Sequence, residues 1–143
     1  MVIEQVSVFV ENKKGALSDI LGILAEGKID LRAISIADTN DFGILRMIVP
    51  DPGRALELFK SKGVTASKTA VTGCRLPDEP GALHKVLQTL CDAGISVEYI
   101  YAFITRKNED AYVIVRVEDN DLAQSVLEKA GHTLISPNEV YGL

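Results

Sequence analysis

Hydrophobic residues in this chain recur at two spacings, and the switches between them mark out its elements. Over residues 3–10 apolar and polar positions alternate, with Val6, Val8 and Val10 on one side and Gln5 and Ser7 on the other. That is the period of a half-buried strand. Leu17, Ile20, Leu21 and Leu24 then follow the three-four spacing of an amphipathic helix that stops near Gly27. Residues 29–37 and 43–49 are again β-rich, with the turn residues Asp38, Thr39, Asn40 and Asp41 between them. Asp51-Pro52 supplies an N-cap followed by proline at the first helical position. Ala55, Leu58 and Phe59 give that second helix its buried stripe, Gly63 stops it, and residues 64–71 close the series as a strand. The order is βαββαβ.

The whole pattern then returns. Lys13-Lys14-Gly15-Ala16-Leu17 is matched 66 residues later by Glu79-Pro80-Gly81-Ala82-Leu83. Ile20, Leu24, Ile29 and Leu31 pair with Val86, Leu90, Ile95 and Val97 at the same offset. Further on the offset is 68, as between Gly63 and Gly131, so a two-residue insertion falls between positions 100 and 111. Self-similarity at a fixed offset marks a duplicated structural unit. The second copy carries Leu83, Val86, Leu87 and Leu90 on its first helix. Its second helix starts near Asp119 to Asp121, carries Leu122, Val126 and Leu127, and stops at Gly131. Right-handed crossovers fold this order into an antiparallel four-stranded sheet with both helices on one face. The expected fold is therefore α+β, two ferredoxin-like βαββαβ units over residues 1–70 and 71–143.

Two features bear on assembly. No linker separates the repeats, and Thr72-Gly73 is the one candidate kink, so the units are expected to sit in fixed relative orientation. Residues 111–117 are apolar almost throughout, and Tyr99, Tyr101 and Phe103 share one strand face. A strand apolar on both faces is covered on both, and a second copy of the chain, giving a homodimer, is the simplest cover.

Composition narrows the function. A net charge of −5 without any Lys/Arg cluster argues against tracking nucleic-acid phosphates, so no nucleic-acid partner is expected. No apolar run reaches membrane-spanning length and no secretory leader is visible, so no membrane partner is expected and the cytoplasm is the expected compartment. Cys74 and Cys91 are too few and too unpatterned for a disulfide framework or a zinc site. Cys91 reads as small core filler on an apolar helix face.

The informative segments are the two strand–helix turns, Glu11 to Leu17 and Pro77 to Leu83. A glycine opening a helix lets a charged group approach backbone N–H donors, where the helix N-terminus favours an anion. Asn12 and Asp78, three residues before each glycine, can cap the helix or contact a ligand. Here the chain resembles the ACT domain family of small regulatory modules, over essentially its whole length as a tandem pair. The signature is an Asn/Asp-x-x-Gly-x-Leu turn, a helix, and a Gly-(Ile/Val)-(Asn/Asp/Ser) turn into the second strand. The second repeat matches through Asp78, Pro80, Gly81, Leu83, Gly94-Ile95-Ser96 and Val97; the first matches through Asn12, Gly15, Leu17, Ile29-Asp30 and Leu31. The first departs at Lys14, where proline is common, and at Lys28, where glycine is common.

The resemblance implies a non-catalytic regulatory protein that binds a free amino acid where two such units meet. Carried over, Asn12, Lys14, Gly15, Ala16 and Leu17 border one site, and Asp78, Pro80, Gly81, Ala82 and Leu83 the other. Asp30 and Ser96 stand where the family presents a polar contact at the start of the second strand. Such a module also reports to a partner, a metabolic enzyme or another regulated protein. No metal or cofactor is implied. Two other classes are weighed beside it. A protein–protein interaction module without a small ligand is supported by the apolar sheet face. A small ferredoxin-fold enzyme is disfavoured, because His84 and His132 occupy unmatched positions in the repeats and no nucleophile–base set, metal spacing or phosphate loop appears.

Overall fold

The strands and helices of the repeated pattern form close to where hydrophobic spacing places them, in the computed structural model that describes residues 1–38, 40–104 and 109–143. Thr39 of the first turn lies outside the described residues, as do residues 105–108 within the stretch that carries the insertion. The chain divides into two compact units, one of Glu4–Thr69 and the other of Met1–Ile3 with Ala70–Tyr141.

The first unit contains β1 (Ile3–Glu11, from Glu4 on), α1 (Ala16–Glu26), β2 (Ala33–Asp38), β3 (Phe42–Ile48), α2 (Pro52–Ser61) and the start of β4 (Ala66–Pro77). Its strands run in the order β2-β3-β1-β4, as ferredoxin-like crossovers require. Val6 and Val8 lie opposite Met47 and Leu45, and these side chains meet Ala16, Ile20 and Leu24 of α1 and Ala55 and Phe59 of α2 in one core. Asp51 caps α2 as expected, its Oδ1 accepting from Arg54 N at 3.0 Å, with Pro52 at the first helical position. The second strand begins at Ala33 rather than Ile29. The intervening residues turn, with Asp30 Oδ1 accepting from Leu31 N at 2.9 Å and Arg32 N donating to Ile48 O at 2.8 Å.

The second unit contains the rest of β4, α3 (Ala82–Asp92), β5 (Val97–Ile104), β6 (Asp110–Val117), α4 (Asn120–Lys129), β7 (Thr133–Leu134) and α5 (Pro137–Tyr141). Its order, β7-β4-β6-β5, repeats that of the first. Cys74, Leu76, Val113, Val115 and Val117 pack against Ala82, Val86 and Leu90 of α3 and Ala123 and Leu127 of α4.

Several sequence readings change. Thr72-Gly73 is no kink: β4 is continuous for 12 residues, with Thr72 opposite Val115 and Gly73 opposite Ile114. Glycine is needed there for space, since a Cβ would stand 2.6 Å from Ile3 Cδ1 and 3.3 Å from Ile135 Cβ. The double burial of β6 is met inside the chain. Val113, Val115 and Val117 face the helices, while Tyr112 on the other side packs its ring edge-on against Phe103 and donates to Glu139 Oε1 of α5. That short helix lies outside the repeated pattern, and Ser136-Pro137 marks its start: Ser136 Oγ accepts from Glu139 N at 3.1 Å. Leu122 is exposed, because Ala123 and Leu127 carry the buried stripe of α4. Cys91 is exposed and Cys74 is the buried thiol, for the inward stripe of α3 is Ala82, Val86 and Leu90.

Candidate functional site

The two strand–helix turns share their internal backbone hydrogen bonds. Lys13 N donates to Glu11 O at 2.9 Å and Glu79 N to Pro77 O at 2.9 Å. Ala16 N reaches Lys13 O and Ala82 N reaches Glu79 O, both at 3.3 Å. Gly15 (φ 85°) and Gly81 (φ 88°) are the N-cap residues of α1 and α3, in the left-handed region that favours glycine, and neither helix has a side-chain cap. Asn12 and Asp78 are therefore not caps. Asn12 instead ties its turn to the start of β3, its N donating to Asp41 O at 3.1 Å and its Nδ2 to Asn40 O at 3.4 Å. Asp78, Glu79 and Pro80 are exposed.

What the turns offer a ligand follows from this geometry. The N–H groups of Ala16 and Ala82 are spent inside the turn, and the first intrahelical bonds arrive only at Asp19 N and Lys85 N. The donors left without an intrahelical acceptor are one step further on, at Leu17 and Ser18 and at Leu83 and His84. Nothing stands within 4 Å of a Cβ built on Gly15 or Gly81, so the space beside both glycines is open. Asp30 is committed to its own turn, with Oδ2 accepting from Arg32 Nη1 at 3.0 Å besides the bond to Leu31 N. Ser96, Lys14 and Leu17 are exposed. Lys28, where glycine was expected, still adopts φ 55° and occupies the place Gly94 fills with φ 74° in the second repeat.

The first unit also holds a cavity of about 520 Å³ beside its turn. Phe9, Val10, Ala16, Ile20 and Phe42 form apolar walls, Glu11, Lys13 and Asp19 bring charge, and Gly63, Val64 and Thr65 line the side next to β4. Ala16 is the one sequence-predicted site residue among these walls. The signal that could have revealed the rest is Phe9, a large apolar residue on the face of β1 that the alternation assigns to solvent. Among the described residues no group of His, Cys, Asp and Glu is arranged to hold a metal ion. Among the described residues no helix is long and apolar enough to cross a membrane.

A family model described as an ACT domain pair matches residues 1–141. No curated protein matches the sequence. Among solved structures, that of protein BT0572 from Bacteroides thetaiotaomicron is similar at 39% identity with a TM-score of 0.93, covering 100% of this chain and 98% of that one. The regulatory subunit of aspartate kinase from Thermus thermophilus, in its ligand-free form, is similar at 18% identity and a TM-score of 0.62, over 90% of this chain and 91% of that one. The aspartokinase alpha and beta subunits are similar at 21% identity and a TM-score of 0.60, over 89% and 90%. At such identities the last two show the fold alone.

Proposed function

The chain belongs to the ACT domain pair family, and from that premise we propose that it is a non-catalytic regulatory protein that binds a free α-amino acid at a seam between ACT units and passes the binding state to a regulated partner. The observation that carries this reading is the duplicated turn. Both copies keep an open glycine at the mouth of a helix whose first-turn N–H groups at Leu17 and Ser18, and at Leu83 and His84, lack intrahelical acceptors. An α-amino acid presents a carboxylate and an ammonium a few ångströms apart. The helix N-terminus receives the carboxylate. Asp78, exposed and free of any capping duty, and Ser96, exposed at the start of its strand, supply acceptors for the ammonium at the second turn.

The reading is tested by titrating free amino acids into the protein in a calorimeter. A sensor working at metabolite concentrations binds with Kd between ~1 μM and ~1 mM. Asp78→Ala is expected to weaken that binding tenfold or more while leaving the melting temperature unchanged, because α3 is capped by Gly81 and not by Asp78. If no amino acid binds below several millimolar, the sensor reading fails and an interaction module without a small ligand takes its place.

A further inference from the structure

The two repeats diverge beside the turn of the first unit. Phe9 and Phe42 meet there with ring centroids 5.7 Å apart, yet they are 58% and 41% exposed. Their counterparts in the second repeat are Arg75 and Asp110, at the offsets of 66 and 68, and these form an ion pair at 3.6 Å. Arg75 is further held by Glu139 of α5, Nη1 to Oε1 at 3.1 Å. The same place in the same fold is therefore polar and ion-paired in one unit, apolar and unpaired by charge in the other. The fold does not require phenyl rings there, and leaving two of them partly in water forgoes the favourable burial of their apolar surface.

Those rings line the 520 Å³ cavity of the first unit, a volume within the usual range for small-molecule sites. Its charged groups are Glu11, Lys13 and Asp19, two carboxylates and one ammonium. Lys13 Nζ is drawn to Glu11 Oε2 at 3.1 Å, an exposed pair of the kind that is easily exchanged for a ligand's charge. A simple anion would meet a net negative rim, and a simple hydrocarbon would leave the charges unused. A zwitterion satisfies both signs.

We propose that the first unit carries its own binding site, separate from the seam of the previous section, for an α-amino acid with a large apolar side chain. The side chain lies against Phe9, Phe42 and Ile20, the carboxylate takes Lys13, and the ammonium takes Asp19 or Glu11. The second unit has replaced this site with the Arg75–Asp110–Glu139 cluster.

The experiment is calorimetric titration with L-phenylalanine and L-leucine, with phenylacetate and phenethylamine as half-ligands. Both amino acids are expected to bind, and each half-ligand at least tenfold more weakly than L-phenylalanine. The double variant Phe9→Arg/Phe42→Asp installs the ion pair that the other repeat already tolerates, and Lys13→Gln removes the carboxylate partner. Each is expected to weaken L-phenylalanine binding at least tenfold, while Asp78→Ala leaves this site's affinity unchanged. Binding that survives Phe9→Arg/Phe42→Asp but is lost in Asp78→Ala overturns this site and leaves the seam reading standing. Absence of any L-phenylalanine or L-leucine binding to the wild type overturns it as well. So does a fall in light-scattering mass of the double variant without a change in affinity, which would make the ring pair a contact between copies.

Discussion

At the scale of single residues, backbone sign and burial decide more than side-chain chemistry. Lys28 holds φ 55° where Gly94 does the same work in the second repeat. A side chain in the left-handed region costs roughly 1–2 kcal/mol, and glycine returns part of that through the greater freedom of the unfolded chain. Lys28→Gly is therefore expected to stabilise the protein by about 0.5–1 kcal/mol, read as a rise in melting temperature. The two thiols separate by environment. Burial pushes the Cys74 thiol from 9.0 up to about 11, whereas Cys91 is exposed. In native protein near neutral pH one thiol per chain should react quickly with DTNB, and the second only on unfolding. Because the folded value lies above the unfolded one, the stabilisation from the protonated Cys74 thiol is complete below pH 9 and is lost as pH rises toward 11. A Cys74→Ala variant that shows the same alkaline loss in denaturant midpoint as the wild type would contradict this.

Among elements, α1 to α4 share one way of ending, and it explains why the stops at Gly63 and Gly131 are legible in the sequence. After α1, α2, α3 and α4 a left-handed residue (Lys28, Gly63, Gly94, Gly131) is followed by one whose N–H returns to the helix: Ile29 to Leu24, Val64 to Phe59, Ile95 to Leu90 and His132 to Leu127. In the fourth the apolar residue is replaced by His132, whose Nε2 lies 3.0 Å from Thr89 Oγ1. That pairing gives His132 a structural occupation. The strand β4 depends on the missing side chain at Gly73, where Ile3 and Ile135 close in. Gly73→Ala is expected to cost about 1–3 kcal/mol through overpacking, measured by denaturant unfolding. Ser136→Ala removes the cap of α5 and is expected to cost about 1 kcal/mol.

For the whole molecule, the duplication yields two units of one topology whose uncovered surfaces differ. In the second unit Tyr112 and Ile114 of β6 are already buried within the chain, Tyr112 held by Glu139 of α5, so no second copy is needed to cover that strand. Tyr99, Tyr101 and Phe103 remain half-buried along β5, and the first unit exposes Ile34 and Ile36 on β2. Homodimer formation is proposed from these apolar residues on the two strands. Light scattering at micromolar concentration should give twice the chain mass, with Tyr101→Asp shifting it toward monomer if β5 forms the contact. A monomer mass for the wild type would remove the proposal.

Sequence alone determined whatever rests on local periodicity and on the duplication. Val6, Val8 and Val10 alternate, Ile20 and Leu24 fall on one helical face, and Gly15 with Gly81 occupies left-handed caps, because each of these is a short-range property of the backbone. The family and its strand order followed from the repeat. The folded geometry decided which polar partners were already spent, locally for Asp30 and the two alanines and through long-range pairing for Asn12. Asp30 closes on Leu31 and Arg32, the N–H groups of Ala16 and Ala82 close on Lys13 and Glu79, and Asn12 closes on residues across the sheet. It also decided which apolar residues stay wet. Phe9 and Phe42 are 33 positions apart in sequence and become neighbours only when β1 and β3 pair in register. Periodicity assigns a residue to a face, but whether that face is covered depends on elements distant in the chain, as α5 shows for Tyr112 and an open cavity shows for Phe9.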